Sequence, residues 1–184
     1  RMNCGQAMYK GKTVLLVAVV YRGKPFGHTS GIHVAMSDDG IHFDISHEPL
    51  CKPVDWAGNV DFDKWVIDPR LTQIGDEYYI VRPAQGQGGP AAVLEKTRDF
   101  KTVEFLDCIA LPPNRVPCLF PEKINGMYAK LDRPYQFGAI QEEGSIWISF
   151  SPDLIHWGHY RPLLFPWGPF FCEKIGPTPP IRTD

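Results

Sequence analysis

The apolar positions of this chain fall in short runs rich in β-branched and aromatic residues, each closed by Gly, Asn, Asp or Pro. The longest, VLLVAVVY at residues 14–21, has the length and composition of a buried strand. WVIDPRL at residues 65–71 predicts a strand through Trp65, Val66 and Ile67 that ends on Asp68. Pro69 cannot donate to a ladder, and it favours extended geometry in the residue before it. No window repeats apolar residues at i, i+3, i+4 and i+7 for three turns free of Pro or Gly. With 18 prolines and 17 glycines, the chain is interrupted too often for a helix bundle. An all-β fold is predicted.

Three segments share one pattern: AMSDDGIHFDI at 35–45, EKTRDFKTVEFL at 95–106 and SFSPDLIHWGHY at 149–160. In each, a small or polar pair precedes an Asp (Asp39, Asp99, Asp153) and an aromatic follows. Upstream of each lies a polar turn opening onto an apolar strand, in YKGKTVLLVAVVY, IGDEYYIV and INGMYAKL. Repeats of roughly fifty residues built from short strands and Gly, Asn and Asp turns predict propeller blades rather than the alternative, a β-sandwich with irregularly spaced hairpins. Three blades are counted, with the start of another at FFCEKIGPTPPI. A closed propeller needs about four blades or more, otherwise edges stay unpaired. Residues 1–184 are therefore expected to form a single partial propeller domain, truncated on its C-terminal side.

Composition narrows the function classes. A chain of 184 residues, 43% apolar and 22% charged, with net charge -2, fits one soluble globular domain. Its basic residues are scattered, so no electrostatic footprint for nucleic acid is seen. No run approaches the ~20 apolar residues of a membrane span, and no leader peptide is visible. Five cysteines without CxxC spacing suggest neither a disulfide framework nor a zinc site, and a reducing compartment is expected. Self-association is left open as a partner class.

The charges that carry chemistry stand beside prolines. Asp68, Pro69 and Arg70 form one such group, and Asp132, Arg133 and Pro134 another at the end of the strand MYAKL. Arg115, Glu122 and Lys123 punctuate the same region. Singly, each suits a surface ion pair or a turn cap. A propeller, however, gathers the ends of its inner strands around one funnel, where charges distant in the chain can meet. The glycines of AQGQGGPAA at 84–92 lack a following helix and fit an ordinary loop better than a phosphate cradle. The pairs His28/His33, His42/His47 and His156/His159 have no partner set for a metal, so none is expected. Trp56, Trp65, Tyr135 and Trp167 offer ring faces on which a ligand can stack, but as isolated aromatics in a β protein most are expected to be blade core.

Over nearly its whole length the sequence resembles glycoside hydrolase family 130, five-bladed β-propellers that are mostly β-mannoside phosphorylases. The resemblance rests on NCGQAMYKG, VVYRG, AMSDDGIHF, VIDPRLTQIGDEYYI, the Asn-Arg pair before LFPEKINGMYAKLDRP, SPDLIHWG and EKIGPTPPI. It implies that Asp68 is the general acid, that Arg115, Arg133 and Lys174 bind phosphate, and that Asn3 and Arg22 contact the sugar. Asp132 and Lys123 are further candidates for substrate contact. Cys4, Gly23 and Val116 depart from residues common in the family, where Ser, an acid and a second Asn respectively are found.

The implied reaction is inverting phosphorolysis of β-mannosidic bonds to α-mannose 1-phosphate. The acid protonates the sugar's 3-hydroxyl, which relays a proton to the bridging oxygen, while phosphate attacks the anomeric carbon from the opposite face. The expected partners are β-linked manno-oligosaccharides or mannosyl-glucose, with inorganic phosphate as co-substrate and no cofactor. Since the product is a sugar phosphate that cells do not readily take up, a cytoplasmic location is expected. Physical chemistry is consistent with this. An inverting hydrolase needs a second carboxylate to activate water, whereas anionic phosphate needs cations to gather and orient it. Guanidiniums and an ammonium suit that oxyanion. The alternatives are a hydrolase of the same fold and a non-catalytic sugar-binding propeller fragment. For Asp68 to act as an acid, Arg70 is expected to bond elsewhere rather than clamp it.

Overall fold

The structure, a computed structural model, describes residues 3–21, 30–55, 62–86, 88–134, 144–166 and 175–183. The strand runs predicted from sequence become three four-stranded antiparallel sheets. The first contains β1 (Gly5–Tyr9), β2 (Lys12–Val20), β3 (Ser30–Ser37) and β4 (Asp44–Ile45). The second contains β5 (Arg70–Ile74), β6 (Glu77–Gly86), β7 (Gly89–Thr97) and β8 (Glu104–Ala110). The third contains β9 (Cys118–Leu119), β10 (Tyr128–Asp132), β11 (Ile146–Ser151) and β12 (Gly158–Leu164). Each sheet meanders from its first strand to its fourth, and β1 packs on β5 and β5 on β9. Innermost strands side by side, with the sheets radiating from them, are the blades of a propeller around its axis.

Both repeated sequence cues are turns. The first joins the opening strands of a blade. Lys10 and Gly11, and again Asn125 and Gly126, take positive φ at both positions of a two-residue turn, the mirror-image geometry that matches strand twist. The second joins strands three and four. Asp99 Oδ1 accepts the backbone N–H groups of Lys101 at 2.8 Å and Thr102 at 2.9 Å, and Thr97 Oγ1 accepts that of Phe100 at 3.0 Å. Asp39 holds Ile41 and His42 in the same way, and Asp153 holds Ile155 and His156. A short carboxylate that satisfies two backbone donors explains why Asp recurs at this position.

The core is a set of layers between blades. In β6, Tyr78 and Ile80 join a cluster with Val14, Leu16 and Ile32 of the first blade. The alternate residues Tyr79 and Val81 join Leu119 and Leu154 of the third. A strand covered on both faces reads as continuous rather than alternating apolar sequence, which accounts for YYIV. A third layer, Cys118, Leu131 and Ile146, receives Ile175 from the segment that follows the third blade.

The segment 65–69 differs from the sequence expectation. Val66 makes only an isolated bridge, to Ala84, and the strand begins after the proline, at Arg70. Asp68 is not extended but left-handed, with φ 51°. The proline starts the inner strand instead of ending an earlier one, and the Asp lies on the bend leading into it. Non-glycine residues seldom take this conformation, Asp and Asn most readily.

Candidate active site

The innermost strands begin at the same end of the axis, and the residues just before them meet there. Asn3 precedes β1, Asp68 precedes β5 and Arg115 precedes β9. Asn3 Nδ2 donates to Asp68 Oδ1 at 2.9 Å, and Arg115 Nη2 approaches Asp68 Oδ2 at 3.4 Å. One carboxylate is thus held by Asn3 from one neighbouring blade and approached by Arg115 from the other. The Asp68 side chain is 14% exposed and that of Arg115 38%, so the acid is sheltered but reachable. Val116 follows Arg115 at φ 60°, uncommon for a β-branched residue. Strained backbone on both sides of the pair, costing on the order of 1–3 kcal/mol per residue, is a feature that clusters at functional sites.

Arg70 does not clamp the acid. Its Nε donates to the Pro177 carbonyl at 3.2 Å and its Nη1 to that of Pro69 at 3.4 Å. Burial lowers the Arg70 pKa, and the nearby Asp68 carboxylate works against that shift. Burial also pushes the thiol of Cys118 up to about 12. Arg70 therefore ties the second blade to the segment at 175–183.

β10 runs antiparallel to β9 and returns the chain to the same end of the axis at Asp132 and Arg133. The Arg115 N–H donates to the Arg133 carbonyl at 3.3 Å, which sets the two arginines side by side in the backbone. Gly176 lies against Arg133, since a Cβ there would stand 3.3 Å from Nη1. Asp132, expected to touch substrate, is only 1% exposed. Its carboxylate accepts from Asn114 Nδ2 at 2.8 Å, from Ser149 Oγ at 2.5 Å and from Lys130 Nζ. Three donors thus already occupy its two oxygens.

Lys123 lies beyond the opposite end of β10, before the Asn125-Gly126 turn, with Nζ 4.3 Å from the centroid of the Tyr128 ring. The structure does not bring it to the Asp68 group. Arg22 and Lys174, together with Trp56, Tyr135 and Trp167, fall outside the described residues. The glycines of 84–92 form the hairpin between β6 and β7, with Gly86 opposite Gly89. From the Asn3 end, a cleft of about 820 Å³ runs between β1, β5 and residues 178–182.

Sequence reasoning missed the buried charges. Arg82 is fully buried, donating to Asp63 Oδ2 at 2.7 Å and to Glu95 Oε2 and Oε1 at 3.0 and 2.9 Å. Asp63 opens the segment that leads to Asp68. Lys64 N–H donates to the Gln85 carbonyl at 3.0 Å, and Val66 N–H donates to Ser30 Oγ at 3.1 Å. The only signal in the sequence was a charged residue interrupting the apolar run of β6.

The described residues thus place one sheltered carboxyl, a carboxamide and an arginine together where three neighbouring inner strands begin. A family model described as beta-1,4-mannooligosaccharide phosphorylase matches residues 5–184. A beta-1,2-mannobiose phosphorylase of Listeria innocua is 38% identical over 73% of this chain and 36% of its own length. A beta-1,4-mannooligosaccharide phosphorylase of Ruminococcus albus is 34% identical over 83% of this chain and 46% of its own length. A solved beta-1,2-mannobiose phosphorylase from Listeria innocua, in complex with beta-1,2-mannobiose, superposes with TM-score 0.74 at 29% identity, over 89% of this chain and 58% of that one. The chain belongs to glycoside hydrolase family 130, and it spans roughly a third to a half of these two curated relatives.

Proposed function

We propose that the protein to which this chain contributes is an inverting phosphorylase of β-linked mannosides that releases α-mannose 1-phosphate. The observation that carries the reading is the Asp68 carboxyl held between Asn3 and Arg115, with Arg133 in the adjoining backbone. Asp68 supplies the proton, by way of the 3-hydroxyl of the mannosyl unit. A phosphate oxygen, oriented by Arg115, Arg133 and Lys174, attacks the anomeric carbon from the opposite face. The bond to the leaving sugar breaks, and its oxygen takes the relayed proton. Inorganic phosphate is the co-substrate, and the chemistry needs no cofactor.

Two further points support phosphorolysis. Asp132, the carboxylate next to Arg133, is occupied by internal donors, so it is not the base that a hydrolase requires. The Arg115 guanidinium has only a loose contact with Asp68, and an incoming phosphate offers it a bidentate partner. The named relatives are mannoside phosphorylases, which supports the substrate class.

The test uses the full-length enzyme with β-mannobiose and mannosyl-glucose, with and without phosphate. Sugar 1-phosphate should appear only when phosphate is present. Equal turnover in phosphate-free buffer would refute phosphorolysis, and binding without turnover would indicate a sugar-binding propeller.

A further inference from the structure

We propose that Asn114, held by a buried Lys130–Asp132–Ser149 network, is a positioning residue that sets the spacing of Arg115 and Arg133 and so tunes the affinity for phosphate. The inference rests on the phosphorylase reading above and adds to it the device that spaces its cations. Asn114 uses both ends of its carboxamide. Oδ1 accepts the Arg133 N–H at 3.1 Å, and Nδ2 donates to Asp132 Oδ1 at 2.8 Å. Asn114 is the chain neighbour of Arg115, and Asp132 is the chain neighbour of Arg133. The side-chain contact therefore joins the two strand ends that carry the arginines, beside the Arg115 to Arg133 backbone bond of 3.3 Å.

Behind this contact, Asp132 is fixed by Lys130 and by Ser149 Oγ at 2.5 Å. The Lys130 ammonium also lies 4.9 Å from the centroid of the Trp157 ring. Lys130 and Ser149 are fully buried and Asp132 nearly so. A buried ion pair contributes little net stability compared with apolar packing of the same volume, so stability alone is a poor account of this one. What it supplies is direction. With both carboxylate oxygens engaged, Asp132 cannot rotate, and Asn114 presents a fixed acceptor to Arg133. Two cations that share one anion need such a frame, because phosphate binds best where they are already in place.

The experiment compares Asn114→Ala and Ser149→Ala with a core variant, Val81→Ala, in the full-length enzyme. KM for phosphate, KM for mannobiose and Tm are measured for each. Asn114→Ala should raise the phosphate KM roughly tenfold while the mannobiose KM stays within about twofold. Ser149→Ala should shift it in the same direction by less, and Val81→Ala should lower Tm with the ratio of the two KM values unchanged. Asn114→Ala that lowers Tm but leaves this ratio at the wild-type value overturns the proposal. If Asn114→Ala does not fold, an unchanged phosphate KM in Ser149→Ala overturns it instead. Wild-type turnover that ignores phosphate removes the phosphorylase reading itself, an outcome read before any variant is made.

Discussion

At the residue scale, the proposed chemistry rests on one side chain whose neighbours come from the two adjoining blades. Asp68 sits in left-handed backbone, with Asn3 on one oxygen and Arg115 near the other. The Asn3 carboxamide fixes the carboxyl plane without adding charge, and Arg70 is spent on carbonyls. Asp68→Asn keeps the shape and removes the transferable proton. It should lower kcat by about 10²–10⁴ while the mannoside KM stays within a few-fold. Steady-state kinetics decide this, and a variant with wild-type kcat would remove Asp68 from the acid role.

At the element scale, each blade is closed by the same carboxylate turn, and two of the three carry a histidine that returns to the Asp. His42 Nδ1 and His156 Nδ1 lie 2.7 Å from Asp39 and Asp153. Hydrogen bonds from His156 and from the backbone hold the Asp153 carboxyl well below the usual carboxylate range. The same contact raises the His156 imidazole above its ordinary value. A lowered carboxyl stabilises the fold above its unfolded pKa, about 3.9, and that contribution is lost as pH falls through the folded value. A raised imidazole stabilises below about 6.5, and its contribution is lost as pH rises through the folded value. The Tm difference between wild type and Asp153→Asn should therefore be widest near pH 5–6 and narrow on both sides. Thermal melts across that range test it, and a gap independent of pH would show that the turn needs the oxygen but not the charge.

At the scale of the whole molecule, blades are joined by apolar layers and by a few buried ties. The axis is tight. A Cβ on Gly5 would come within 2.9 Å of Leu71 Cβ, so β1 and β5 approach closely only because Gly5 has no side chain. Arg82 holds Asp63 and Glu95 in full burial and anchors the segment leading to Asp68. Arg82→Met leaves two buried carboxylates without their partner and should cost about 3–5 kcal/mol, measured by chemical denaturation. A loss below about 1 kcal/mol would mean that the segment is held by its backbone bonds alone.

By itself the sequence determined the all-β class, the three-blade repeat and the two turn types. Each of these follows from local chemistry: Gly and Asn at positive φ, Asp over backbone donors, and apolar runs of strand length. It also marked Asp68, Arg115 and Arg133 through their motif strings. Only the tertiary structure decided that Asp68 lies on a bend before its strand, that Asp132 faces inward to Lys130 and Ser149, that Lys123 lies away from the Asp68 group, and that Arg82 is buried. The reason is physical. Local patterns fix φ, ψ and which face is apolar, but whether a charge meets water or a partner depends on which distant strand packs against it. In a propeller, that strand belongs to another part of the chain.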